Sequence, residues 1–158
     1  NNLESRSYKK METAQLLDIY TDNAKIENEQ YLIIMNGEKI VIHIRIDAFV
    51  SIEPVTISLG INDQMDSRIC VFHSQLSGDH LKMKKGVNEY SCEINKFPLV
   101  EGIYSIDVKL YNNYGETILF EKNAIRLSVQ NGNYFGSGIV PEQEWSWKLF
   151  IDHSWENR

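Results

Sequence analysis

The stretch Ile40-Val41-Ile42-His43-Ile44-Arg45-Ile46-Asp47 decides the fold class of this 158-residue chain. Isoleucine stands at every second position, and three of the four residues between are polar. Because successive side chains of a β-strand point to opposite faces of the sheet, this period of two predicts a strand with one buried face. Isoleucine is β-branched, which also favours a strand over a helix.

The same alternation recurs along the chain, and short turn sequences separate the runs. Further strands are predicted at residues 55–61, 104–110 and 125–129, with shorter ones at 15–20, 31–35, 68–73, 89–94 and 117–121. Asn36-Gly37 is the strongest hairpin signal, because a type I′ turn needs positive φ at both central residues. Many short strands joined by such turns predict an all-β fold, an antiparallel β-sandwich or barrel.

Composition excludes several classes of protein. The 16 Lys and Arg residues against 22 Asp and Glu give a formal net charge of −6. This leaves no broad positive field for a phosphate backbone, so general nucleic-acid binding is disfavoured. No apolar run approaches the ~18 residues that a transmembrane helix needs. Cys70 and Cys92 lie in apolar strand-like stretches, which predicts buried free thiols and fits a reducing cytoplasm.

The two ends of the chain differ in composition from its middle. The first ten residues are polar, lack an apolar signal core and do not begin with methionine, which indicates a piece of a longer protein. We expect a linker from a missing upstream domain at residues 1–11, the β-sandwich at 12–151 and a tail at 152–158.

The sequence carries none of the common catalytic motifs. It has no phosphate-binding loop, no nucleophile elbow and no zinc-binding His-Glu-x-x-His pattern. The four histidines are scattered and lack ligand partners at close spacing. We therefore assign no catalytic residue, no metal ligand and no cofactor.

Polar residues occupy the strand positions opposite the aliphatic ones. Such a sheet face offers hydrogen-bonding groups and aromatic rings, which suit the hydroxyls and the C–H face of a sugar. The alternative is that these residues form the solvated face of any antiparallel sheet, and the residues alone leave both open. The candidate carbohydrate-binding residues, all expected to project from a sheet at exposed positions, are Arg45, Ser58, Asp107, Lys109, Tyr111 and Arg126.

The C-terminal region carries large apolar residues at a period of two. Trp145, Trp147, Leu149 and Ile151 predict a last strand. Tryptophan stacks on sugars, but this pattern more often covers a hydrophobic surface or a subunit interface. We assign Trp145, Trp147 and Leu149 to a dimer interface.

The order of these motifs resembles a known family. The matching segments are, in order, 36–42, 60–63, 69–72, 99–108, 123–129, 136–141 and Trp145. Together they are similar to the C-terminal carbohydrate-binding domain of the ATPase subunit of bacterial O-antigen polysaccharide ABC transporters, the Wzt type. The family often has a glycine in the turn after the second segment, where this chain has Gln64-Met65-Asp66-Ser67.

The resemblance implies an immunoglobulin-like or jelly-roll β-sandwich attached to an absent nucleotide-binding domain, in which any ATP hydrolysis would take place. It implies recognition of a lipid-linked O-polysaccharide before export. It further implies a homodimer with possible exchange of C-terminal strands, a transmembrane transporter subunit as partner, and a cytoplasmic position at the inner membrane. Two alternatives stay open: an assembly domain without glycan binding, and an accessory carbohydrate-binding module of a glycan-modifying enzyme.

Overall fold

The computed structural model describes residues 8–22, 25–27, 31–141 and 147–157. Within these ranges the regular structure consists of ten strands. The strands are β1 (Ala14–Thr21), β2 (Lys25–Glu27), β3 (Tyr31–Met35), β4 (Ile40–Ala48), β5 (Ile52–Asn62), β6 (Arg68–His73), β7 (Leu81–Met83), β8 (Gly86–Ile94), β9 (Gly102–Tyr111) and β10 (Thr117–Gln130).

The strands form two sheets of unequal size. The small sheet has the order β1-β4-β8, and the large sheet has the order β2-β3-β10-β9-β5-β6, with β7 added to β5. The predicted all-β sandwich is confirmed. One pairing departs from the antiparallel prediction, because β3 runs parallel to β10.

The two sheets bury their aliphatic faces against each other. Ile40, Ile42, Ile44 and Ile46 on β4 are all buried, and they join one hydrophobic core with the inward-facing side chains of the large sheet. The central strand β9 contributes Ile106, Val108 and Leu110 to this core, again at every second position. The period of two in the sequence is therefore the period of burial in the fold.

Most predicted strands are present, and the differences from the prediction have local causes. The runs predicted at 117–121 and 125–129 form a single strand, β10, whose register shifts between Glu121 and Ile125. Asn123 takes a positive φ of 52° inside this irregularity. Strands β2 and β7 were not predicted, because three residues are too few to show a period. In the turn after β5, Asp66 takes the left-handed conformation that favours glycine, with φ 63°.

The hairpin predicted at Asn36-Gly37 is wrong. These residues connect β3 of the large sheet to β4 of the small sheet, so the chain crosses between sheets here. Gly37 has φ 81°, but Asn36 is not in the positive-φ region, which excludes a type I′ turn. Instead the Asn36 side chain is buried, and its Nδ2 donates to Leu99 O at 3.2 Å and to Asn131 Oδ1 at 3.0 Å. Its Oδ1 accepts from Gly132 N at 2.8 Å.

The two ends of the described chain also differ from prediction. Tyr8, inside the predicted linker, packs against the core, and its hydroxyl donates to Ala124 O at 2.7 Å. The predicted last strand is reduced, among residues 147–157, to an isolated bridge between Leu149 and Leu99. Trp145 lies outside the described residues. The tail folds back onto residues 98–100 through backbone hydrogen bonds at Lys148 and Phe150.

Replacement of Asn36 tests its role in the crossover. Asn36→Ala leaves the buried partners of the amide without hydrogen bonds, so we expect it to lower the free energy of unfolding by about 3 kcal/mol. Chemical denaturation measures this change. The control is Asn95→Ala at an exposed bend, where we expect a change within about 0.5 kcal/mol. Equal effects of the two substitutions would show that the crossover does not depend on this amide.

Candidate functional site

Five of the six predicted carbohydrate-binding residues lie on one face of the large sheet. The strand register places Ser58 of β5 opposite Lys109 of β9, and Thr56 opposite Tyr111 two pairs further along. Arg126 of β10 pairs with Ser105 of β9. Because residues two apart share a face, Asp107 belongs to this outer face as well. The sixth residue, Arg45, lies on β4 of the small sheet and forms an ion pair with Glu89 there, so its assignment to a common surface is wrong.

Asp107 lies at the centre of the outer face and is 4% exposed. Its Oδ2 accepts from Asn62 Nδ2 at 2.8 Å and from Arg68 Nη2 at 2.9 Å. Its Oδ1 accepts from the backbone N–H of Asn123 at 2.8 Å, at the irregularity of β10. A buried carboxylate requires such partners, since an unpaired charge is costly to bury. We call these four residues, Asp107, Asn62, Arg68 and Asn123, the central network.

Gly60 makes the central network possible. Strand β5 brings Gly60 opposite Asp107, and the Arg68 side chain lies directly over the glycine. A Cβ atom at position 60 would overlap the guanidinium group of Arg68. The missing side chain therefore leaves the channel through which Arg68 reaches Asp107 from the edge strand β6.

The predicted exposure of two site residues is wrong. Asp107 is covered by its own hydrogen-bond partners, and Ser58 is only 7% exposed between its neighbours Lys109 and His73. The sequence does not predict Arg68 and Asn62 as site residues, although both hold Asp107. The one available signal was Gly60, because a glycine inside a strand often marks a close approach of other atoms.

The central network divides the outer face into two parts. The Tyr111 half contains Ser58, Lys109 and Tyr111 and ends in a depression of about 260 Å³. The rings of Tyr111 and His73 line this depression with their centroids 6.1 Å apart, and Asn113 and Gln75 supply amide groups. On the same half, Lys109 Nζ lies 4.8 Å from the centroid of the exposed Phe120 ring.

The Arg126 half ends in a second depression of about 240 Å³. Arg126 lies 5.9 Å from the centroid of the Tyr31 ring, and Lys122 donates to Asp66 Oδ2 at 2.6 Å. This hydrogen bond and the charge of Asp66 raise the pKa of the Lys122 amine. Asp63, also in the lining, accepts two backbone N–H groups of its own turn through Oδ1. The outer face therefore carries two polar depressions at opposite ends.

A cleft of about 690 Å³ opens between the sheets, where the edge strands β6 and β8 face each other. Its walls include Ile57, Phe72, Tyr90 and Cys92, and residues 74–79 contribute to its rim. Burial raises the pKa of both Cys70 and Cys92, and of Tyr90 to about 12. The two thiols are free but half-buried, whereas full burial was predicted. Because burial raises their pKa, they stay protonated at neutral pH, and neither is an activated nucleophile.

A row of hydrogen-bonding side chains crosses the small sheet. His43 Nδ1 lies 2.9 Å from Ser91 Oγ, and His43 Nε2 lies 2.7 Å from Asp22 Oδ1. The Tyr20 ring stacks on the imidazole at 4.9 Å. Asp22 directly follows β1, His43 lies in β4 and Ser91 lies in β8, so the row spans all three strands of the small sheet. In a Ser-His-Asp catalytic triad the serine contacts Nε2 and the aspartate contacts Nδ1, the reverse of the arrangement at His43. Hydrolysis also needs hydrogen-bond donors for an oxyanion. We therefore interpret this row as a structural contact between strands.

Within the described ranges, no three His, Cys, Asp or Glu residues come together as metal ligands. No helix in the same ranges has the length and apolarity to cross a bilayer.

Aromatic side chains cluster where the tail returns to the sandwich. The Phe150 ring stacks on Tyr134 at 4.8 Å and meets Phe135 edge to face at 5.5 Å. Trp147 and Leu149, both predicted at a dimer interface, are each 41% exposed, and Trp155 is 89% exposed. The tail thus presents an apolar surface on the described chain.

The fold and the outer face define a class of β-sandwich domain with unequal sheets and a polar, partly aromatic outer face. The model of the Wzt C-terminal domain family matches residues 12–141. The chain therefore belongs to the Wzt C-terminal domain family, the family that its motifs resemble, and is a domain of the O-antigen transporter.

Solved structures agree with this assignment at the level of the fold. The crystal structure of the C-terminal domain of wzt is similar with a TM-score of 0.71 and 10% identity, covering 99% of this chain and 95% of that one. A Niemann-Pick type C2 protein from Japanese carpenter ant has a TM-score of 0.57 and 16% identity, covering 78% of this chain and 98% of that one. No curated protein matches the chain.

Replacement of Asp107 tests the central network. Asp107→Ala leaves the Asn62 amide, the Asn123 N–H and the Arg68 guanidinium without their acceptor, so we expect a loss of about 2–3 kcal/mol in the free energy of unfolding. The matched control is Asp47→Ala, at the equivalent outward parity of β4 in the small sheet. Its expected effect is within about 0.5 kcal/mol. Urea denaturation of both variants provides the measurement, and an unchanged midpoint for Asp107→Ala would contradict the structural role.

Proposed function

We propose that this domain is a non-catalytic module that binds the O-polysaccharide exported by its transporter. The observation that supports this most directly is the outer face of the large sheet. It joins aromatic rings, amides, hydroxyls and cations on a rigid platform, and its two halves end in depressions of about 260 and 240 Å³. Rigid placement limits the entropy that binding costs, since strand residues are already ordered.

The Tyr111 half supplies stacking and hydrogen-bonding groups for a sugar ring. Tyr111 and Phe120 offer apolar ring faces, and Asn113 and Gln75 offer both donors and acceptors for hydroxyl pairs. Each contact is modest, and the depressions are open, so we expect micromolar or weaker affinity for a short oligosaccharide. Asp107 acts here as a positioning residue, because its lone pairs are engaged within the central network.

Membership of a transporter suggests which partners this domain has. We propose that the domain meets its lipid-linked glycan on the cytoplasmic side of the inner membrane, joined to a nucleotide-binding domain that hydrolyses ATP and through it to the transmembrane subunit. Within this scheme the isolated domain itself turns over neither nucleotide nor glycoside.

Replacement of Tyr111 tests the glycan platform. Tyr111→Ala removes the ring of the first depression, so we expect about a 10-fold weaker affinity for the O-polysaccharide of the source strain. Isothermal titration calorimetry measures the affinity. Tyr20→Ala is the matched control, since Tyr20 is a half-buried tyrosine on the outer side of the small sheet. Equal affinity of the parent and the Tyr111 variant would place the glycan elsewhere, with the cleft between β6 and β8 as the next location to test.

A second candidate function, assembly of the transporter, is supported by the apolar tail. Trp147 and Leu149 are exposed in the single chain, although aromatic residues are enriched in subunit interfaces. We propose that this surface is buried in a homodimer, with possible exchange of the C-terminal segments. Glycan binding and assembly are compatible, because the tail contacts residues 98–100 and leaves the outer face free.

The tail prediction is tested by a double substitution. Trp147→Ser with Leu149→Ser removes apolar area from the surface, so we expect a dimeric parent and a monomeric variant. Sedimentation velocity at several concentrations measures the association. A parent that is monomeric throughout, or a variant that dimerises as the parent does, would contradict this interface.

A further inference from the structure

The contacts of the basic side chains differ between the two outer faces of the sandwich. On the small sheet each described basic residue of β4 and its flank has an acidic partner. Lys39 lies 2.9 Å from Glu93, His43 lies 2.7 Å from Asp22, and Arg45 lies 3.2 Å from Glu89. The Lys39 and Arg45 pairs neutralise charge on that face across its strands.

Among the described residues, two cations on the outer face of the large sheet have no acidic partner. Arg68 and Lys122 are paired with Asp107 and Asp66. Lys109 and Arg126, however, contact aromatic rings, those of Phe120 and Tyr31. In the part of the chain that the structure describes, neither forms an ion pair with a carboxylate. The chain has six more acidic than basic residues, so a shortage of carboxylates does not explain this.

An aromatic ring fixes a cation without neutralising it. The attraction between a cation and the ring face at an exposed site favours one position of a long side chain. The full positive charge remains available to an incoming anion. Arg126 makes one further polar contact, 3.4 Å to the Tyr31 hydroxyl, which leaves most of its five donors free.

We propose that the glycan bound on this face is acidic, with carboxylate groups of uronic-acid type that pair with Lys109 and Arg126. This inference rests on the proposed function and names the substrate class of the same site. Arg126 suits a carboxylate because its planar fork forms two parallel hydrogen bonds. Lys109 acts as a point charge beside the Tyr111 depression, where the neighbouring outer-face residues Ser58, Tyr111 and Phe120 are neutral.

The spacing of the two cations fits an extended polymer. Arg126 pairs with Ser105, which is four residues from Lys109 on β9, so the two positions are about 13 Å apart along the strand. One chain crossing the central network could therefore place acidic groups at both ends. Asp66 in the Arg126 depression is neutralised by Lys122, and Asp63 is held by its own turn, so Arg126 remains the cation open to the ligand.

Chemical reduction of the ligand provides the first test. The probe is the O-polysaccharide of the source strain, before and after conversion of its carboxyl groups to alcohols by carbodiimide activation and borohydride. We expect the native polymer to bind at least about 10-fold more tightly than the reduced one, with an affinity that falls as the salt concentration rises.

Equal binding of both polymers would overturn this inference and leave the glycan function standing. Binding of neither would overturn the glycan function itself. Equal binding of poly-uridylate would overturn recognition of a glycan in favour of a general polyanion site.

Charge-removing variants give the second test. Arg126→Gln and Lys109→Gln should each weaken binding of the native polymer about 10-fold and leave binding of the reduced polymer unchanged. Arg45→Gln, on the opposite sheet, is the matched control and should bind both polymers as the parent does. Thermal unfolding establishes that the three variants are folded. Loss of affinity for both polymers to the same extent would show that these residues act on shape and not on charge.

Discussion

The contact between the isoleucine face of β4 and the inner face of the large sheet is the constraint on which the other features depend. It fixes the parity of each long strand, because a slip of one residue would turn the buried aliphatic side chains into solvent. Once Ile42, Ile44 and Ile46 face inward, the residues between them must face outward. The outer faces, and any ligand that they bind, therefore follow from the packing of the core.

The central network shows how a charged group is accommodated on such a face. Asp107 is directed outward by parity, yet its partners close over it and remove it from water. Three distant parts of the chain meet there: the edge strand β6, the end of β5 and the irregularity of β10. A carboxylate at this point organises neighbouring strands more than it offers itself to a ligand, since its lone pairs are already engaged.

The sequence predicts what depends on local period and not what depends on the partner strand. Alternation identified β4, β5, β9 and much of β10, because each has one buried face. It could not assign Arg45 to a sheet, since both sheets have an outward parity. Asn36-Gly37 has the composition of a hairpin turn, but the strand that follows it, β4, pairs with β1 and β8 in the other sheet. The burial of Asp107 depends on Gly60 and Arg68, which become its neighbours only through pairing across strands.

Gly60 has a consequence for how the surface can change. The glycine and the guanidinium group above it occupy the middle of the outer face, so side chains cannot be added there without displacing Arg68. The two ends of the face have no such restriction and are built by separate loops, residues 112–115 at one end and 63–67 at the other. Substitutions can therefore alter one end while the other keeps its shape. The outer face thus has two independently variable ends separated by a constant centre.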